Sequence, residues 1–470
     1  MKLVVVGLDG AGFELLDPWI EKGLLPNIAR IKHEGVWADM DSVLPPVTAP
    51  NWKCYSTGKN PGKIGIFWWE HVDWRNRKVS YPVVKTSRDK EIWDYLGEAG
   101  MKVGVLGVPI THPKEVNGFI IAGGPGIGET GFAYPAELEE HLRRSGWRNH
   151  PEASVELERD KAAREIHGLI DMHFNTARAL GRQYELDFLQ MTTFHINILH
   201  HFLWDSIETR RAWETIDRHL GELMNEGLDL IVISDHGANK ITHVFNINRW
   251  LEKEGYLRLR GSLAFNLYRL GINRNTLGKL ITRLRLQGLV ANVIPKRLMR
   301  RIPSGLAGIT HEDKANQVDW QRSKAIASGQ GPVYLNPEIG GAETLRDEIK
   351  RKLEALVDPV AGDRIIEKVY SREEIYHGQY LGDAPDLIID QAEGVHIPGG
   401  IGQRRVFDSP RRWMAENKKT GLFMAHGPVF GKRGRIENVS ILDLAPTILH
   451  LMDVPVPDDM DGKVRKEIFQ

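Results

Sequence analysis

Short, continuously apolar runs alternate with amphipathic segments along this chain, and that alternation narrows the fold more than any other feature. The runs are Lys2–Leu8, Lys102–Val108, Phe119–Ala122, Asp187–Thr193, Leu228–Ser234, Val333–Leu335, Asp386–Ile389 and Leu422–Ala425. Between them lie helical patterns at Pro26–Glu34, Lys90–Glu98, Lys161–Arg182, His201–Asn225, Leu345–Leu356 and Ile441–Leu451. The last opens with Ser440 and Asp443, spaced as a capping box. A strand apolar on every residue needs cover on both faces. Such strands with helices between them predict an α/β fold: a mainly parallel central sheet flanked by helices. Ligands of such sheets sit at the carboxyl ends of the strands.

The chain has 470 residues, 41% of them hydrophobic and 26% charged, which is ordinary soluble composition. Its formal net charge is +0, so bulk charge does not mark a nucleic-acid binder. A single cysteine, Cys54, excludes an internal disulfide framework and cysteine-type zinc sites. The apolar run of MKLVVVGLDG is too short for a signal peptide, and no run reaches membrane-spanning length. Cytoplasm is the expected compartment.

Two strand ends carry acids. VVVGLDG runs into Asp9, and LIVISDHG runs into Asp235 and His236. A turn after a strand accounts for an Asp-Gly pair but does not call for the histidine. A third stretch, TAPNWKCYSTGKNPGKIGIF, reads as a short helix, Asn51 to Ser56, ended by Gly58, with Thr48 just ahead of its N-terminus. Threonine there is either a helix cap or a hydroxyl placed where negative charge is favoured. Carboxylates, an imidazole and a hydroxyl at one sheet edge make a divalent-metal site with an activated nucleophile for a phosphoryl group.

Taken in order, these motifs with HHFLWD, FNINRWLEKEGYL, APDLIID, GLFMAHGPVF and ILDLAPTILHLMDVPVPDDMDGK resemble the alkaline phosphatase superfamily, in its type I phosphodiesterase and nucleotide pyrophosphatase branch. The resemblance implies an alkaline phosphatase-like core, two metals, usually zinc, and a transiently phosphorylated Thr or Ser. Carried over, Asp9, Thr48, Asp235 and His236 hold the first metal, Thr48 is the nucleophile, and Asn51 contacts substrate. At the second metal the chain departs from the family. His201 is kept, but Asn197 and Asn417 stand where the family has a carboxylate and a histidine. Neutral amides are poor zinc ligands, so this position is expected to be weak, empty or taken by Mg2+, Mn2+ or Ca2+. His195, His200, Glu416 and His426 are nearby substitutes, His426 rather as a wall residue, and Lys418 or Lys419 could supply charge in place of a metal. Sulfatases carry Cys or Ser and an Arg where this chain has Thr48 and Trp52, which disfavours that chemistry. The expected function is a metal-dependent phosphodiesterase or pyrophosphatase working through phospho-Thr48. The alternative is a silent phosphate- or membrane-binding member of the fold.

Residues 249–301 carry Lys or Arg at many positions, with Glu252 and Glu254 as the only acids. With Leu and Ile at helical spacing, they read as a helical basic cap. The expected division is a catalytic core at 1–245 and 320–470 and a cap at 246–319. Such a cap suits a lipid-linked or small phosphoester and peripheral contact with an anionic membrane, at its inner face. Aromatics are too sparse there for specific nucleic-acid binding.

Overall fold

The computed structural model describes residues 1–80, 89–261, 311–431 and 434–469. Its main sheet is ordered Gly434–Arg435, Val36–Asp41, Thr420–His426, Asp229–Ile233, Leu3–Leu8, Phe188–Thr193, Val103–Pro109, Gly118–Gly123 and Ala133–Tyr134. Leu3–Leu8 is parallel to both of its neighbours, and Val103–Pro109 is parallel to Phe188–Thr193 and Gly118–Gly123. Thr420–His426 and Ala133–Tyr134 run the other way. The sheet is therefore mainly parallel and flanked by helices, as the apolar runs predict.

The first strand shows why its residues have to be apolar throughout. Val4, Val6 and Leu8 join one hydrophobic cluster, while Leu3 and Val5 join the cluster on the other face. The first cluster is closed by the helices Phe13–Glu21, Pro26–Glu34, Arg159–Gln183 and Ile207–Asn225. The second is closed by Thr48–Thr57, Ile92–Glu98 and Leu444–Leu451. The capping box at Ser440 forms, with both reciprocal bonds made.

Tertiary structure differs from the sequence reading at several places. Val36–Asp41 is a strand although its sequence, VWADMD, alternates instead of running apolar. The single helix expected over His201–Asn225 is two, His195–Leu203 and Ile207–Asn225. Asp205 between them takes a left-handed φ of 51°, and Ser206 caps the second helix at Thr209 N–H (3.1 Å). The runs at Val333–Leu335 and Asp386–Ile389 do not enter the main sheet. They pair antiparallel in a separate sheet ordered Ala325–Ala327, Pro332–Leu335, Leu387–Gln391 and Ile366–Ser371. Short apolar runs fit a sandwiched antiparallel strand as well as a parallel one, and periodicity does not separate the two.

This smaller sheet has its own core, to which Trp250, Leu251, Tyr256, Leu257, Val318 and Trp320 contribute. Both described ends of the 246–319 segment thus pack with residues beyond 320, so the expected boundary at 319 is not a break in packing. Most of the basic segment 249–301 lies outside the described residues. Within the described part, Arg249 is paired with Glu252 at 2.7 Å. Among the described residues, no helix is long and apolar enough to cross a membrane.

Candidate active site

The carboxyl ends of the central strands carry the acidic motifs. Asp9 follows Leu8, which registers with Thr193, and Asp235 and His236 follow the neighbouring Asp229–Ile233 strand. The loop after Val36–Asp41 lies beside them, with Ser42 Oγ donating to the Asp235 carbonyl at 2.7 Å. That loop delivers Thr48. The helix it leads into is Thr48–Thr57, so Thr48 is the first helical residue and not the residue before it. The N-cap is Val47 in extended conformation, and no side chain caps this end. Thr48 Oγ1 is instead 3.2 Å from His236 Nε2 and 3.4 Å from Asp9 Oδ1. The capping explanation for this threonine therefore fails.

The His236 ring is oriented by its other nitrogen. Nδ1 lies 2.8 Å from the Gly237 carbonyl, which only accepts, so Nδ1 carries the proton. Nε2 then presents a lone pair 3.2 Å from Asp235 Oδ2 and 3.7 Å from Asp9 Oδ1. Asp235 Oδ2 is buried and has no hydrogen-bond partner. One ligand atom from each of Asp9, Asp235 and His236 falls within 4.8 Å of the others, and all three residues are buried. Burial first, and then the Asp235 carboxylate, push the Asp9 carboxyl well above the usual range. Burial pushes Asp235 up to about 7 and lowers His236. Lone pairs converging away from water repel one another unless a cation sits among them, and oxygen and imidazole donors suit a divalent ion. The residues present fit a metal.

The Asp9 carboxylate is held on both oxygens. Trp52 Nε1 donates to Oδ2 at 3.0 Å, and Asn197 Nδ2 donates to Oδ1 at 2.7 Å. Glycines permit both approaches. A Cβ on Gly7 would lie 2.5 Å from the Trp52 ring, and one on Gly10, whose φ is +69°, would lie 2.4 Å from Asn197 Oδ1. The sequence makes Asn197 a weak ligand of a second metal. In the structure it instead turns its N–H to Asp9, and its Oδ1 is packed against Gly10.

The other residues expected at the second position divide. His201 is one helical turn from Asn197, on the same face. Its Nδ1 donates to the Ala415 carbonyl at 2.8 Å, leaving a lone pair on Nε2, and burial lowers its pKa to about 4. Asn417 Nδ2 donates to the Pro46 carbonyl at 2.9 Å, two residues before Thr48, and its buried Oδ1 has no partner. Glu416 is fully buried beside it. It accepts from His396 Nδ1, from Gln330 Nε2 at 2.6 Å and from the Asn417 N–H at 2.8 Å.

Several expected residues are elsewhere. Asn51, expected to touch substrate, spends its side chain on the Val43–Val47 loop. Its oxygen accepts from Val43 N–H at 2.8 Å, and its amide donates to the Val47 carbonyl at 2.9 Å. It is fully buried, so it shapes the loop that presents Thr48. His195 is bonded to the Asn149 carbonyl at 3.0 Å, and His200 accepts from Trp213 Nε1 at 3.0 Å. His426 pairs with Leu230, at the end of the strand remote from Asp235, so it is no wall of this site. Lys418 is held by Glu14 and Glu393, and Lys419 by Asp390.

Residues 3–428 match the family model for type I phosphodiesterase / nucleotide pyrophosphatase. The chain belongs to that family. Among solved structures, phosphonoacetate hydrolase from Sinorhizobium meliloti 1021, in complex with phosphonoformate, superposes with a TM-score of 0.62 at 16% identity, covering 95% of this chain and 94% of that one. Murine ectonucleotide pyrophosphatase / phosphodiesterase 5 superposes with a TM-score of 0.56 at 17% identity, covering 100% of both chains. No curated protein sequence matches the chain significantly. The family is one of phosphoester hydrolases, and its members are generally metal-dependent.

Trp52 as a partner of Asp9, and His396 and Gln330 altogether, stand outside the residues expected from the sequence. Trp52 was legible, since one turn of helix separates it from Thr48. His396 and Gln330 sit in loops and short strands that only the fold brings to Glu416.

Proposed function

We propose that the protein is a metal-dependent phosphodiesterase that works through a phosphorylated Thr48. The observation that carries this is the orientation of His236, whose Nε2 lone pair faces Asp235, Asp9 and the Thr48 hydroxyl. Asp9, Asp235, His236 and Thr48 would hold the metal, and this donor set suits zinc. When bound, it would supply positive charge to a phosphoryl oxygen and lower the pKa of the hydroxyl.

The chain's own residues do the rest. Thr48 Oγ1 attacks phosphorus, its proton having Asp9 Oδ1 as an acceptor at 3.4 Å. The N-terminus of the Thr48–Thr57 helix favours the negative charge that gathers there. Trp52 and Asn197 keep the Asp9 carboxylate from turning as that charge moves. Water then attacks the phosphothreonine along the reverse path, and Oγ1 leaves as the group that entered.

A second dication is disfavoured by charge. Asp9 and Asp235 together offset one +2 ion, whereas His201 Nε2 and the Asn417 amide oxygen are neutral donors and the Glu416 carboxylate is already engaged by His396, Gln330 and the Asn417 N–H. The second position is therefore weak or empty, or takes a hard cation such as Mg2+, Mn2+ or Ca2+. The substrate is a small or lipid-linked phosphoester. An inactive variant of murine ectonucleotide pyrophosphatase / phosphodiesterase 5 has a solved structure in complex with AMP, which supports a nucleotide-sized ligand.

The test is metal analysis beside turnover of aryl phosphodiester, phosphomonoester and sulfate substrates. Expected are about one tightly held zinc per chain and preference for the diester. Thr48→Ala should lose activity by about three orders of magnitude or more, and Thr48→Ser should keep part of it. Two tightly held zinc ions would overturn the weak second position. Unchanged turnover in Thr48→Ala would remove the nucleophile, and no turnover of any ester would leave a binding protein.

A further inference from the structure

In two-metal phosphoryl-transfer sites one ion serves the attacking oxygen and the other the leaving oxygen. On the reading above, this chain keeps the first and not the second, so the leaving oxygen lacks its cation. Next to Asn417 in the Ala415–Lys418 strand, Glu416 forms a histidine–carboxylate pair with His396. Glu416 is completely buried, while the His396 side chain is 21% exposed. The carboxylate accepts from His396 Nδ1, which places that proton and leaves Nε2 for a ligand. Gln330 fixes the carboxylate from the other side at 2.6 Å and is itself held by Trp68 Nε1 at 3.2 Å. Gln330 does this from a left-handed backbone with φ 57°, unusual for a residue other than glycine.

The pair borders the site on two sides. The Asn417 N–H joins Glu416 to the Asn417 side chain, which bonds Pro46 ahead of Thr48. The Trp413 ring lies 3.9 Å from the His201 ring and 6.1 Å from that of His396. His396 and His201 thus both stack on the Trp413 indole.

We propose that His396 is the proton donor to the leaving oxygen, with Glu416 and Gln330 as positioning residues. As Thr48 Oγ1 bonds to phosphorus, the bond from phosphorus to the leaving oxygen breaks. Its electron pair stays on that oxygen, which takes the proton from His396 Nε2 and departs as the alcohol. In the second half, neutral His396 Nε2 takes a proton from the attacking water. The new P–O bond forms, the P–Oγ1 bond breaks, Thr48 Oγ1 takes back the proton that Asp9 Oδ1 accepted in the first half, and His396 is again protonated for the next turn.

The test compares phosphodiesters that share one ester group and differ in the other, from nitrophenol to a simple alkyl alcohol. A good leaving group needs little help from a proton, and an alkoxide needs it most. His396→Gln should lose about 10²–10⁴-fold on the alkyl ester and far less on the nitrophenyl ester, with the zinc content unchanged. Glu416→Gln should steepen the leaving-group dependence in the same sense, as should Gln330→Ala by a smaller factor. Equal losses on every ester would overturn the proposal, as would no loss on any. Loss of a metal equivalent in His396→Gln would overturn it too, by making His396 a ligand. A wild type that hydrolyses no ester would take the phosphodiesterase reading down with it, whereas an active wild type with a flat variant profile would remove this inference alone.

Discussion

The Asp9 carboxylate shows how one residue gathers its surroundings. Both of its oxygens receive hydrogen bonds, from Trp52 and Asn197, and Thr48 and His236 face it as well. Outer partners of this kind set the orientation and basicity of a metal ligand. Trp52→Phe keeps most of the ring volume and removes the indole N–H. It should weaken metal affinity by about 10–100-fold, read by competition with a chelator, and leave the thermal unfolding of the metal-free protein close to that of the wild type. An unchanged affinity would mean that Asn197 alone holds the carboxylate.

At the scale of the element, the Thr48–Thr57 helix is unusual in being buried along its whole length. It has no exposed face, so even its lysine needs a partner inside. Lys53 Nζ meets Glu91 at 2.7 Å, with 6% and 4% of the two side chains exposed. Glu91 also accepts from Ser56 and Lys114, at 3.0 and 3.1 Å. Removing Lys53 leaves the buried Glu91 carboxylate with only Ser56 and the partly exposed Lys114 as partners. Lys53→Met should therefore lower unfolding free energy by about 3–5 kcal/mol, measured by denaturant titration. Adding Glu91→Gln should recover part of that loss. A single variant as stable as wild type would show that Lys114 suffices for Glu91. Because Thr48 begins the same helix, the pair also anchors the candidate nucleophile.

Across the whole molecule, the response to acid follows from histidines kept neutral in the core. Burial lowers His173 to about 4, and His195 and His200 to about 3, from an ordinary value of 6.5. None of the three bonds an ionised carboxylate that would favour its charged form. In each the folded state binds its proton later than the unfolded state does. Their contribution to stability is complete above pH 6.5, and it declines as pH falls through the lowered values. Every tenfold difference in proton affinity between the folded and unfolded chain is worth about 1.4 kcal/mol. The expected outcome is a steep loss of unfolding free energy from neutral pH into the acid range, lessened in His200→Gln relative to its own stability at pH 7. An acid limb of equal slope in that variant would assign the effect to other groups.

The two acidic strand ends, the threonine-led helix and the alternation of apolar runs with amphipathic segments were legible in the sequence because each is local. A strand apolar on every residue has to be covered twice, and Asp at its carboxyl end falls at the edge where such sheets gather ligands. The sequence therefore determined the parallel core and the identities of Asp9, Thr48, Asp235 and His236 as candidates. What it did not determine is which atoms face which. The tautomer of His236 depends on the Gly237 carbonyl, and the turning of Asn197 toward Asp9 depends on the space left by Gly10. Asn51 is consumed by its own loop, and His426 is carried to the far end of the sheet by an antiparallel strand. The pairing of His396 with Glu416 joins residues from different small sheets. Such contacts arise only when distant segments meet, so tertiary structure alone decided them.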